Sequence, residues 1–540
     1  AGSGKSRRVL ETMEKNRGLR RQVLLVPEHI SHEAEVDLCR ALGPTASRDA
    51  EVLSFRSLSS RVLAETGGLA EFTLDNGGKL LTMRRVLQEL APELRVFGRP
   101  SQRASFLRQL TDLMEELYAY EIGPQDLYAH VEDLEGAMGD KLRDIALLYA
   151  AYDARLRNGD MDARSRLQKL REHLEHSDYL RGCDVYLDGF SYFNRQEESI
   201  LELVLRQASS VTVTLLGDRG NEQLFQNALR QRMRLERMAR RVGQSMEVLW
   251  CEKQGSGPLD HLERHFFGRE TAYEGQAEGI RLYQAATAFT EVEWVSQQLR
   301  QLAAEGYRWR DMGVCARNME VYGPLLESVF RRDGIPAYIS RRSDLLEKPP
   351  ITMLLGALDA VTGGFDREDV FRCLKTGLGG ISPDECDILE NYVIVWDIRG
   401  GMWLREGDWT ASPDGYGREM TETAAARLRQ VNGVRRRVRL LLEPLYQGMK
   451  TASSARDKAE CLYTFLQEAG VPQALEETAG KLLAENQPQL AEEYVQLWEI
   501  FCGVLDQFVE ILGDTELTGE EFARLLRLVL TQYSVGTIPA

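Results

Sequence analysis

Four short apolar runs, each closed by a turn or polar residue, constrain this chain more than anything else in it. They are Gln22-Val-Leu-Leu-Val-Pro27, Glu51-Val-Leu-Ser-Phe55, Cys183-Asp-Val-Tyr-Leu-Asp188-Gly-Phe190 and Val211-Thr-Val-Thr-Leu-Leu216-Gly-Asp218. Runs of that length, rich in β-branched residues and continuous rather than alternating, are strands buried on both faces of a parallel sheet. Helical spacing separates them, so the units are βαβ and the class is α/β, doubly wound. Between residues 74 and 176 the strand signal stops. Phe106, Leu107, Leu110, Leu113, Met114 and Leu117 recur at helical spacing, as do Leu142, Ile145, Leu148, Tyr149 and Tyr152, which predicts an all-helical insertion.

A second α/β block is expected from Gly279, with strands at Ile280–Ala285, Met312–Ala316 and Gly334–Ile339 and helices at Glu291–Ala304 and Val321–Arg332. After Pro349-Pro350 the pattern is helical to about Leu530. At 540 residues the chain is too long for one core. No stretch approaches the ~20 apolar residues of a membrane helix. The eight cysteines are scattered without a C-x-x-C pair, which suits reduced thiols in a cytosolic protein and offers no metal framework. The net charge of −16 argues against a nonspecific nucleic-acid coat, although local charge still sets any phosphate contact.

The first residues, Ala1-Gly2-Ser3-Gly4-Lys5-Ser6, match the back end of G-x-x-x-x-G-K-[ST], a P-loop. Its glycines let backbone N–H groups turn onto a polyphosphate at a helix N-terminus. In that reading Lys5 reaches the β/γ-phosphates of ATP and Ser6 holds Mg²⁺. Asp188, at the end of an apolar strand, is placed to complete the Mg²⁺ shell. The motif's first glycine and its launching strand would precede Ala1, so the chain is expected to be trimmed at both ends. A Gly/Ser linker for the first residues and an ordinary strand-end turn for Asp188 are the alternatives. Asp188 is followed by Gly189 rather than a carboxylate, so ATP binding is expected without fast hydrolysis. Glu197 reads as a solvated helix start, with substitution for the missing base as the alternative. The run Arg427, Arg429, Arg435, Arg436, Arg437 and Arg439 is the densest basic segment, either a solvated helix face or a surface for DNA or a partner.

Two sheet blocks, each interrupted by a large helical insertion, resemble superfamily 1 helicases. The sequence is similar to one branch of them, the AddB (RexB-like) subunits of bacterial AddAB helicase–nucleases. The residues that carry the resemblance include Val26-Pro-Glu-His29, Ser54-Phe-Arg-Ser-Leu-Ser-Ser-Arg61, Glu65-Thr-Gly-Gly68, Leu187-Asp-Gly-Phe190, Glu291-Val-Glu-Trp294, Gly334-Ile-Pro336, Leu374-Lys-Thr-Gly377 and Cys386–Tyr392. The resemblance implies a P-loop NTPase fold with RecA-like sheet domains. The first is at 1–73 and 177–278 around the insertion 74–176, and the second at 279–345 and 531–540 around an insertion at 346–530. It implies that Arg317 reaches the γ-phosphate, a surface salt bridge being the alternative. It also implies that Glu28, His29, Ser31, Phe55, Ser57, Ser60 and Phe190 line a single-stranded DNA path, with core packing as the alternative for each. His29, Ser57 and Ser60 depart from the residues usual in the family at those places. Further implications are an AddA partner, double-strand DNA ends as substrate, reading of a Chi-like sequence, and a bacterial cytoplasmic location. The family's nuclease domain, with its own Mg²⁺ and its four-cysteine 4Fe–4S cluster, would lie outside this chain, which is therefore expected to lack nuclease activity.

Overall fold

The structure is a computed structural model, and it describes residues 3–43, 45–67, 74–98, 104–131, 134, 136–158, 166–218, 223–251, 255, 257–267, 271–339, 343–485 and 487–535. The chain forms two compact units, Ala1–Gly255 and Ser256–Ala540.

In the first unit, strands β1 (Gln22–Leu25), β2 (Ala50–Leu53), β3 (Asp184–Leu187) and β4 (Ser210–Val213) form one parallel sheet in the order β2-β1-β3-β4. Gln22 is in register with Ala50 on one side and Asp184 on the other, and Asp184 with Ser210. All four expected strands are present, each shorter than its apolar run. Strand side chains alternate between faces, and helices cover both. Leu24, Val26, Val52 and Tyr186 pack with Val9 and Met13 of α1 (Lys5–Lys15) and Leu38 and Leu42 of α2 (Ser31–Leu42). Val23, Leu25, Val185 and Leu187 face α3 (Phe55–Thr66) and the helices that return from the insertion. The insertion is helical, as expected: α4 (Asn76–Leu90), α5 (Ala104–Ala119), α6 (Pro124–Val131), α7 (Gly136–Asn158) and α8 (Arg166–Leu174). Next come α9 (Arg195–Gln207) and α10 (Gln226–Arg241).

The two ends of this sheet differ in chemistry. At the N-terminal end of the strands, arginines tie the connections together. Arg17 bonds Asp49 at 3.2 Å and the Leu42 carbonyl at 2.8 Å, and Arg20 reaches Asp184. Arg21 pairs with Glu51 and lies 4.2 Å over the Tyr179 ring. No such mesh closes the C-terminal end among the described residues. Ligands of open parallel sheets bind outside the strands' carboxyl ends.

Among its described residues the second unit is mainly helical, with a two-residue antiparallel ladder, Ser343–Asp344 with Ser534–Val535, and a single bridge between Ser454 and Glu516. Its helices are α11 (Pro258–His265), α12 (Ala288–Ala304), α13 (Met319–Asp333), α14 (Pro349–Thr362), α15 (Arg367–Leu374), α16 (Pro383–Val395), α17 (Glu422–Thr451), α18 (Ala455–Glu468), α19 (Val471–Ala484), α20 (Pro488–Gln507) and α21 (Gly519–Leu530). The helical expectation from 349 onward matches. The strands expected at 280–285, 312–316 and 334–339 do not: none of the three joins a ladder among the described residues. A strand is stabilised by its neighbour's hydrogen bonds and by two covered faces, and here Leu282, Tyr283 and Val314 are exposed. What does form there is a helix pair. Val292 and Leu299 of α12 pack on Leu326, Val329 and Phe330 of α13, with Ile335 completing the core.

Candidate nucleotide and strand-end site

Ala1 and Gly2 lie outside the described residues. From Gly4 on, the motif becomes a helix start. Gly4 is the cap of α1, at φ +79° and ψ +22°, a left-handed conformation that glycine adopts without strain. A Cβ there would meet nothing within 4 Å, and no side chain caps α1. The helix's first N–H groups are therefore open to an acceptor, with Lys5 half-buried and Ser6 exposed beside them. An open helix N-terminus with a cation and a hydroxyl in its first turn fits a polyphosphate with its Mg²⁺. The far end of α1 is firmly seated: the Gln22 side chain donates to the Met13 carbonyl at 2.9 Å, and Asn16 donates to the Tyr186 hydroxyl at 3.2 Å.

Asp188 follows β3 directly. Its N–H continues the ladder onto the Leu25 carbonyl at 3.0 Å. Its carboxylate accepts a hydrogen bond from the hydroxyl of Thr214, one residue beyond β4. The sequence reading missed Thr214; the signal available was a hydroxyl residue at the end of the neighbouring strand. Gly189 stands at φ +83°, and a Cβ on it would lie 2.5 Å from Ile30 Cδ1 and 3.3 Å from Pro27 Cδ. The left-handed backbone disfavours any side chain next to Asp188, and a Cβ there would also require the end of the Ile30 side chain to move. Glu197 does not substitute for one. It is the third residue of α9, accepting from the Asn194 N–H at 2.9 Å while the Asn194 side chain accepts from the Glu197 N–H at 2.8 Å. Burial raises its carboxyl above the usual range, against the lowering effect of the Asn194 N–H. This is a reciprocal helix cap, which fits the expected helix start, although the residue is half-buried rather than solvated.

The other strand ends carry the remaining candidates. Glu28 and His29, both exposed, sit in a short 3₁₀ turn (Glu28–Ile30) after β1, and the Ser31 hydroxyl closes that turn onto the Glu28 carbonyl at 2.8 Å. Ser57 caps α3 reciprocally with Ser54, and the half-buried Ser60 hydroxyl donates back to the Arg56 carbonyl. Phe55 is only 7% exposed and belongs to the core beneath β2. Of its two readings, a place on the DNA path and core packing, the burial fits core packing: it enters α3 just after its cap, and the first inward position of that helix meets the sheet. Phe190 packs edge-on to it, ring centres 5.6 Å apart, and lies 4.9 Å from Phe193. Tyr192, two residues on, is 68% exposed and is the outward-facing ring of this cluster. Three aromatics within Gly189-Phe-Ser-Tyr-Phe193 were the signal for it.

Arg317 belongs to the second unit, where it is exposed and makes no ion pair among the described residues. Among the described residues no three His, Cys, Asp or Glu side chains cluster in a way that could hold a metal ion. No described helix is long and apolar enough to cross a membrane.

The family described as ADDB, N-terminal, matches residues 1–263. The whole chain aligns with proteins named as the B subunit of an ATP-dependent helicase/deoxyribonuclease. In Desulforudis audaxviator (strain MP104C) the identity is 34%, over 49% of the relative's length. In Acetivibrio thermocellus it is 30% over 49%, and in Caldanaerobacter subterraneus subsp. tengcongensis 29% over 48%, each again covering 100% of this chain. The chain thus spans about half the length of the curated relatives it matches. A family match over the sheet-bearing unit and an alignment along the full chain with these relatives agree: the chain belongs to the AddB family.

Proposed function

We propose that this chain forms the ATP-binding, DNA-strand-handling part of an AddB protein, built as a P-loop, superfamily 1 helicase-like NTPase. In that role it works with an AddA-type motor partner in a helicase–nuclease that processes double-strand DNA ends for recombinational repair, and it surveys the passing strand for a Chi-like sequence. The names of the relatives support an ATP-dependent enzyme acting on DNA. The observation that carries the reading is the uncapped start of α1, with Gly4 left-handed and Lys5 and Ser6 in its first turn.

Gly4, Lys5 and Ser6 would hold the phosphates, and Ser6 and Asp188 the Mg²⁺, with Thr214 fixing the Asp188 carboxylate. Bound ATP–Mg²⁺ would supply a ligand-dependent clamp on the start of α1. Hydrolysis at this site alone is slow in this reading, because Gly189 supplies no base and Glu197 is engaged as a helix cap. The single strand would cross the carboxyl ends of the strands, past Glu28, His29, Ser31, Ser57, Ser60 and Phe190, with Tyr192 as the stacking ring. Phe55 would support that surface from below. A reading of this chain as an active translocase would need a catalytic carboxylate, which Gly189 does not supply.

The test is equilibrium binding of labelled ATP with Mg²⁺ to the full-length protein and to its Lys5→Ala variant. Loss of a charge-assisted hydrogen bond predicts about 10- to 150-fold weaker binding by the variant. Equal binding would overturn the nucleotide site.

A further inference from the structure

The arginine-rich stretch of α17 and the loop before it have no role in the reading above. From 399 to 439 the chain carries nine arginines and five acidic residues, a net +4 in a protein whose total is −16. The structure sorts these arginines by work done. Arg435 is buried: it donates to the carbonyls of Gly407 at 2.6 Å and Trp403 at 3.4 Å and to that of Arg405, and its guanidinium lies 4.5 Å over the Trp409 ring. Asn432 holds both backbone polar groups of Trp409 at 2.9 Å. Arg427 pairs with Asp414, Arg436 with Asp408, Arg437 with Glu385 and Arg439 with Glu443. The loop is thus pinned along α17 at several points, and it is a shaped surface.

Arg399 pairs with Asp397 at 2.6 Å, and three arginines are left over. Arg405, Arg418 and Arg429 are exposed and make no ion pair among the described residues. Arg429 lies two turns before Arg436 on the helix face that grips the loop, and Arg405 is on the gripped segment itself. Between them the loop raises Tyr416, 94% exposed, flanked by Gly415 at φ +105° and Gly417 at φ +72°. A ring flanked by two residues without side chains is open to stacking from either side.

We propose that this loop and α17 form a second binding surface for single-stranded nucleic acid, with Tyr416 stacking a base and Arg405, Arg418 and Arg429 meeting phosphates. Unpaired guanidinium groups on the same loop and helix as an exposed aromatic suit a single strand, which carries both charge and bases. An acidic protein surface would use the charges and leave the ring without a partner. This inference rests on the reading of the chain as a DNA-handling protein, and it adds a site on the second unit to the strand-end face of the first.

The experiment compares full-length wild type, Tyr416→Ala, Tyr416→Phe and the triple variant R405A/R418A/R429A, using fluorescent oligothymidylate over a range of salt. Tyr416→Ala should bind about 5- to 150-fold more weakly and Tyr416→Phe like wild type. The triple variant should lower the slope of log affinity against log salt by about 2, at ~0.7 for each phosphate no longer neutralised. Melting temperatures should not move, since none of the four side chains supports the fold. Ultraviolet crosslinking of the wild type should label the peptide containing Tyr416. If all variants bind with wild-type affinity and slope, the site is wrong and the DNA-handling reading stands. If the variants instead lose the motor partner while keeping the oligonucleotide, the surface is a protein interface and the proposal falls. A wild type that binds no oligonucleotide would overturn both readings.

Discussion

In the proposed function, Gly189 sets the catalytic character of the candidate site by carrying no side chain. Any side chain there would carry a Cβ 2.5 Å from Ile30 Cδ1 and would hold the backbone at φ +83°, which costs an L-residue about 1–2 kcal/mol before any clash is counted. Installing the carboxylate that position 189 lacks should therefore fail as a gain of function. Gly189→Glu is expected to lower the melting temperature and leave single-strand-stimulated ATP hydrolysis at background. A steady-state assay finding turnover of about ten per second, an ordinary enzyme rate, would show that the backbone accommodates the residue and that only its chemistry was missing.

The pair α12–α13 shows how an element is held where the sheet expected around it does not form. Asp333 ends α13, an unfavourable place for a negative charge beside the helix's own negative pole. Its carboxylate accepts from Arg332 at 2.8 Å and from the Ser296 hydroxyl of α12, and Arg332 also reaches Glu293 at 2.9 Å. The Arg332 hydrogen bond first, then Ser296, holds the Asp333 carboxyl down at about 2, below the usual carboxylate value. Since the folded value lies below the unfolded one, this contribution is present in full above about pH 4. It is lost as pH falls from there toward 2. Acid titration followed by hydrogen exchange should show α12 and α13 losing protection across that window, and Asp333→Asn should flatten the dependence. An unchanged profile in the variant would mean that other carboxylates govern the pair.

Across the whole molecule, each unit has its own apolar core, so damage should stay local. Phe55→Ala removes a ring from the core under the sheet, at a cost of about 3–5 kcal/mol. Hydrogen exchange on the variant should show faster opening of β1, β2, β3 and α3 with protection in α14 to α18 unchanged; loss spread over both units would contradict separate cores. The sequence by itself determined the parallel sheet, the helical insertion at 74–176 and the helical stretch after Pro349. Each follows from the period of apolar residues, a local quantity that every stretch carries within itself. It also determined the start of α1, because Gly4-Lys5-Ser6 fixes a left-handed cap, a cation and a hydroxyl within three residues. What only the tertiary structure decided depends on neighbours distant in the chain. Phe55 reads alike as an exposed ring or a core ring until α3 is laid on the sheet. The segments at 280–285, 312–316 and 334–339 have strand composition, but a strand exists only where another strand supplies its hydrogen bonds. The arginines of α17 are alike in sequence, yet one is buried beneath a tryptophan, four are paired and one is left facing solvent. Periodicity records which side of an element is apolar, whereas burial and pairing depend on what is packed against that side.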